Sequence, residues 1–197
     1  MKKRFLSTCI ALTCAVLGVV AQRSYTFNAA ALNVDGLPEK IMGITINEGA
    51  PGAAGAMMLS NHIANSGWAF CGFSEDFNFH AELTASAGDY YNFGAHGGSV
   101  SGLSNETDGL GFACAKRYTM EGGTRVAWDT HYGEISDGAD GLISKGFRVY
   151  TVTLAPGVAV DVYVLHMDAS DGAEDIKARE SQLTQLATYI KNNHNGR

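Results

Sequence analysis

Between Val158 and Leu165 every second residue is valine: Val158, Val160, Val162 and Val164 alternate with Ala159, Asp161, Tyr163 and Leu165. Side chains of a strand repeat every two residues, so this stretch reads as a strand with one apolar face. The same parity, carried past Leu165, places His166 and Asp168 together at the carboxyl end of that strand. Phe147–Leu154 reads as its partner across the turn Ala155-Pro156-Gly157. Further strands are expected at Tyr25–Val34, Trp68–Phe73, Gly111–Tyr118 and Val126–Trp128. Met57–Ala64 has helical spacing, after a Gly/Ala/Pro loop over Glu48–Gly55. The clearest helix closes the chain: Ser170 or Asp171 can cap it, and Ile176, Leu183, Leu186, Ala187 and Ile190 form one apolar stripe. Strands interleaved with helices predict an α/β domain, with the last strand–helix unit short of a following strand.

Composition narrows the class without naming a function. The chain has 197 residues, enough for one domain with a real core. Apolar residues make up 46% and charged residues 17%, which excludes a disordered chain. The net charge of −6 argues against broad neutralisation of nucleic-acid phosphates. It does not exclude an enzyme that meets phosphate through a bound cation.

Lys2, Lys3 and Arg4 precede an uncharged, apolar run from Phe5 to Ala21, and Val19-Val20-Ala21 offers small residues before Gln22. This is the form of a cleaved secretory signal peptide, residues 1–21, leaving a mature part of 22–197. A membrane anchor is the alternative, although about 17 residues is the lower limit for a span. A secreted or periplasmic location follows. Cys9 and Cys14 fall inside that segment, and Cys71 and Cys114 remain. They could form a disulfide or stay as two buried thiols.

Three short stretches carry the chemistry. Leu32-Asn33-Val34-Asp35-Gly36-Leu37-Pro38 ends a strand in Asn before a Gly-Leu-Pro turn. Phe73-Ser74-Glu75-Asp76-Phe77 puts a carboxylate just after a buried strand. Val164-Leu165-His166-Met167-Asp168-Ala169 ends a strand in His-x-Asp-Ala. In this order the three resemble motifs of the endonuclease/exonuclease/phosphatase superfamily. Asp108-Gly109-Leu110, Lys145-Gly146-Phe147 and the run Ala178–Leu183 are similar to its sphingomyelinase-like members. The resemblance spans nearly all of the mature part.

The resemblance implies a four-layer α/β/β/α sandwich, incomplete on its C-terminal side, and metal-dependent hydrolysis of a phosphoric ester. Glu75 would bind Mg2+ or another divalent cation, a hard ion suited to carboxylate oxygen. Asn33 would place that metal or a phosphate oxygen through its amide. His166 would be the catalytic donor to a phosphate oxygen as charge builds. Asp168 would shape the loop and takes no chemical step. The expected substrate is a phospholipid head group, sphingomyelin-like, at a membrane surface. A secreted nuclease and a non-catalytic binding or cell-surface protein are the alternatives, and no stable protein partner is implied.

Two departures stand out. Ser74 replaces the Gln that usually precedes the metal Glu, and its hydroxyl has a shorter reach. The later Gly-Asp-x-Asn and Asp-His motifs, which would supply the general base, are not among residues 1–197. The expectation is therefore the ligand half of a site with little turnover of its own. Other motifs fail. Ala95-His96-Gly97-Gly98-Ser99 is similar to an esterase oxyanion loop, but no G-x-S-x-G accompanies it. The glycines at 49–55 lack the Lys of a P-loop. His62, His80, His96, His131 and His194 show no ligand spacing and read as structural or surface residues.

Overall fold

The computed structural model describes residues 24–102, 107–132, 143–194 and 196. The expected signal peptide lies outside the described residues. Two sheets face each other. The first has the order β1-β4-β6-β5, built from β1 (Ala29–Asn33), β4 (Phe70–Ser74), β6 (Gly111–Ala115) and β5 (Tyr91–Phe93). The second is a meander of β7 (Thr119–Ala127), β8 (Gly146–Ala155) and β9 (Val158–Leu165). A two-stranded ribbon, β2 (Lys40–Ile41) with β3 (Ile44–Thr45), follows β1. β1 and β4 run parallel, and the other pairings are antiparallel.

The alternation of each strand sorts its side chains between layers. On β4, Cys71 and Phe73 face the helices α1 (Gly52–Ser66) and α2 (His80–Thr84), packing with Ile63 and Leu83. Phe70 of the same strand faces the other way, into a core with Phe112, Cys114, Tyr150, Val152 and Val164. That second cluster is the seam between the sheets, where Phe112 and Tyr150 stack at 4.5 Å. On the outer face of the second sheet, Phe147 and Tyr163 meet Tyr189 of α3 (Ala173–Asn193). The order of layers is thus helix, sheet, sheet, helix, the expected α/β/β/α sandwich.

Three local readings change. α1 begins at Gly52, inside the segment that reads as a loop, because Pro51 has a φ of −67° that suits a helix start. The apolar stripe of α3 is not its buried face: Ile176 and Leu183 are 45% and 54% exposed, while Asp175, Ala178 and Gln182 are buried. Gln182 turns inward because Asp168 hydrogen-bonds to it from the end of β9. Cys71 and Cys114 are free thiols. Cys114 stands opposite Phe70 in the ladder and Cys71 opposite Ala113, so the two sulfurs leave the sheet on opposite faces and no bridge can form.

Candidate functional site

Asn33 and Glu75 leave two neighbouring parallel strands at the same level. Asn33 pairs with Ser74 in the ladder, and Glu75 is the next residue. Past the ladder the chain stays tied: the Val34 amide donates to the Ser74 carbonyl at 3.0 Å and the Gly36 amide to the Glu75 carbonyl at 2.9 Å. Gly36 has no substitute here, since a Cβ would sit 2.4 Å from the Glu75 carbonyl oxygen. Glu75 itself has a φ of +62°, a left-handed conformation uncommon for a non-glycine residue. Backbone strain of this sort is held only where surroundings dictate it. Here it turns Glu75 out of the strand while Asp76 turns inward, 1% exposed.

The Asn33 amide has both ends committed. Its Oδ1 accepts from the Asp35 amide at 2.9 Å, so its Nδ2 must face Glu75, where it donates to Oε1 at 2.7 Å. A flipped amide would set N–H against N–H at Asp35. His166 approaches the same Glu75 oxygen from the second sheet, its Nε2 3.8 Å away. The side chains of Glu75 and His166 are 22% and 13% exposed, so the group is sheltered but open to solvent. The three residues picked out by motif therefore converge on one carboxylate.

His166 is placed by backbone and by neighbours. Its amide donates to the Gly146 carbonyl at 3.0 Å, and its carbonyl accepts from Trp128 Nε1 at 2.7 Å. Lys145 donates to the Met167 carbonyl at 3.2 Å, which ties the Lys-Gly-Phe stretch to the His-x-Asp-Ala stretch. Burial, with help from the Lys145 charge, pushes the imidazole down to about 3, so it is neutral near pH 7. Its Nδ1 is buried without a hydrogen-bond partner among the described residues. Placing the ring proton on Nε2, toward Glu75, leaves only a lone pair unpaired at Nδ1. Asp168 keeps to a structural part: Oδ2 accepts from the Tyr132 amide at 2.6 Å and Oδ1 from Gln182 Nε2 at 2.9 Å.

Around this group lie two further features. Asp108 is fully buried and held by both forks of Arg148, at 2.7 and 3.1 Å. A crevice of about 400 Å3 runs between β1, β4 and β9 beside Asn33 and Ser74. The donor set suits a hard cation: one partly exposed carboxylate oxygen pair, held by an N–H, beside a neutral imidazole that does not repel positive charge. Behind it, sequence reasoning missed a cluster. His80 and His96 both close on Asp76, the residue next to Glu75. The only sequence signal was the spacing Asp76-x-x-x-His80, and the two side chains meet across the turn at 78–79 that leads into α2.

No family model matches the chain, and no curated protein matches it. Solved structures do. TDP2 from C. elegans aligns over 85% of this chain and 44% of its own, with a TM-score of 0.58 at 12% identity. A D. rerio TDP2 humanized by 14 mutations aligns over 82% of this chain and 54% of its own, with a TM-score of 0.58 at 15% identity. D. rerio TDP2 complexed with a single-strand DNA product gives 82%, 53%, 0.58 and 16%. The chain thus spans about half the length of these solved chains. At such identities the likeness establishes the fold alone for this chain, the α/β/β/α sandwich that it shares with those TDP2 structures.

Proposed function

We propose that this protein contributes to divalent-metal-dependent hydrolysis of a phosphodiester, with Glu75 as the carboxylate ligand. The observation that carries the reading is the double approach to Glu75 Oε1, by Asn33 Nδ2 at 2.7 Å and His166 Nε2 at 3.8 Å. Mg2+ at such a site would polarise a phosphate oxygen. Asn33 holds the ligand carboxylate through its N–H, and its Oδ1, which accepts from the Asp35 amide, keeps a second lone pair for the cation. His166, neutral and with a proton on Nε2, donates to a phosphate oxygen as negative charge develops.

The motif resemblance favours a phospholipid head group as substrate, sphingomyelin-like, met at a membrane surface after secretion. A second reading, single-stranded nucleic acid, draws support from the D. rerio TDP2 structure that holds a DNA product.

Titration with Mn2+, a paramagnetic stand-in for Mg2+, tests the core of the reading. One ion should bind in competition with Mg2+, and Glu75→Gln should abolish that binding while the circular dichroism spectrum is unchanged. Mg2+-competed binding that survives Glu75→Gln would sink the reading and leave a non-catalytic protein on a shared scaffold. Mn2+-dependent binding of sphingomyelin vesicles, compared with binding of a single-stranded oligonucleotide, decides the substrate.

A further inference from the structure

We propose that Asp76, His80 and His96 form a second cation site, built for a borderline transition ion such as Zn2+ and distinct from the Glu75 carboxylate. The three residues come from different parts of the fold. Asp76 follows β4, His80 opens α2, and His96 lies in the segment after β5. One ligand atom of each lies within 4.8 Å of the other two. Tetrahedral coordination with bonds of 2.0–2.2 Å sets donor atoms roughly 3.3 Å apart. Small shifts of the imidazoles would therefore close the site.

Each partner is already set for the task. Asp76 is buried, and its carboxylate lies under Gly111, where a Cβ would fall 2.4 Å from Oδ2. His80 Nδ1 sits 2.8 and 3.0 Å from the two Asp76 oxygens. His96 stacks on His80 with centroids 4.2 Å apart and planes 10° from parallel. Its Nε2 lies 3.1 Å from the Asp76 carbonyl oxygen. A proton there is fixed by that carbonyl and leaves Nδ1 as the lone-pair nitrogen. A metal-ligating histidine is commonly oriented in this way, through its other ring nitrogen.

The bland alternative is a His80–Asp76 hydrogen bond with His96 merely lying alongside. That alternative accounts for His80 by its carboxylate contact and for His96 by the Asp76 carbonyl and the ring stack. A shared cation accounts in addition for the closeness of two imidazole nitrogens to one buried carboxylate. Two nitrogens and one carboxylate oxygen suit Zn2+ and are a poor set for Mg2+, which favours oxygen ligands and retained water. The ion would tie α2 and the 94–96 segment to the loop that carries Glu75. Only one peptide bond separates the two sites, yet they face opposite ways. This proposal does not rest on the phosphodiesterase reading.

The test uses the full chain, freed of metal by a chelator and then titrated with Zn2+ by calorimetry and with Co2+ by visible absorption. One Zn2+ per chain should bind, and Co2+ should develop the d–d bands of a four- or five-coordinate nitrogen and oxygen site. His80→Gln and His96→Gln, checked for folding by circular dichroism, should each weaken Zn2+ binding at least 100-fold. Glu75→Gln should leave it unchanged. Wild-type chain that shows no d–d bands overturns the proposal without recourse to any variant. So does Zn2+ binding that persists in both histidine variants, or that disappears in Glu75→Gln.

Discussion

Val164 rests directly on Gly72: a Cβ added to that glycine would lie 3.1 Å from both of the valine's γ carbons. The contact joins the two sheets one strand over, on each sheet, from the Phe112–Tyr150 stack. Gly72 lies three residues before Glu75 on β4, and Val164 two residues before His166 on β9. The close approach of these strands is what brings His166 within reach of Glu75.

Gly72→Ala should therefore act on the site from a distance. The added methyl must push β9 outward by a few tenths of an ångström, at a cost of about 1–3 kcal/mol. We expect a lower melting temperature together with altered chemical shifts at His166, read by two-dimensional NMR. A variant that is destabilised with His166 shifts unmoved would show that the strand spacing does not govern the site.

Asn33→Ala separates holding the ligand from being the ligand. Losing an outer-shell partner commonly lowers metal affinity 10- to 100-fold. Mn2+ affinity should fall by about that much, short of the complete loss expected for Glu75→Gln. If the two variants are equally inactive in binding, Asn33 is a ligand as essential as Glu75.

His166 should resist protonation. Its pKa, lowered to about 3 by burial first and Lys145 second, lies below the unfolded value near 6.5. The unfolded chain then binds the extra proton, so this residue lowers stability progressively as pH falls from about 6.5 toward 3. A bound cation would act in the same direction. Imidazole NMR signals of the native chain should show no titration at His166 between pH 5 and 8, and its replacement by Asn should flatten the acid side of the stability profile.

The two thiols give the opposite slope. Burial pushes Cys71 up to about 12 and Cys114 to about 11, the latter despite the nearby Arg117 charge. Unfolding frees them to ionise near 8.5, so stability should decline as pH rises above that value. A disulfide reagent at pH 8 should label Cys71 and Cys114 only after denaturation, and a reductant should leave the melting temperature unchanged. Rapid labelling of either thiol in the native protein, read by peptide mapping, would contradict this.

Much of this arrangement could be read from the residues, because strands with one apolar face announce themselves. The valines of β9 fixed its extent and the direction of His166, whereas Asp168, past the strand's end at Leu165, turns instead to Gln182 of α3. Asn33, Glu75 and His166 were found because each stands at a strand end beside a recognisable short motif. Other features carried no such signal. The bulge between Gly122 and Thr124 breaks the alternation of β7, so only its last residues looked like a strand. Gly52 and Gly55 disguise the first turn of α1, which ends with Gly67 at a φ of +68°. The inward face of α3 is polar because it serves Asp168, a long-range demand that no local pattern records. His80 and His96 are 16 residues apart and meet only because β5 brings its trailing segment back over α2.

The ladder that sets Asn33 opposite Ser74 has a consequence for how the site can be lost. A parallel pairing offers no intermediate positions: sliding β1 by one residue would move Asn33 about 3.3 Å and send its side chain to the opposite face. Damage to this pairing should not loosen the grip on Glu75 by degrees. Molecules in a partly destabilised population would divide into those with the grip intact and those without it, and a metal titration would record fewer binding sites rather than weaker ones.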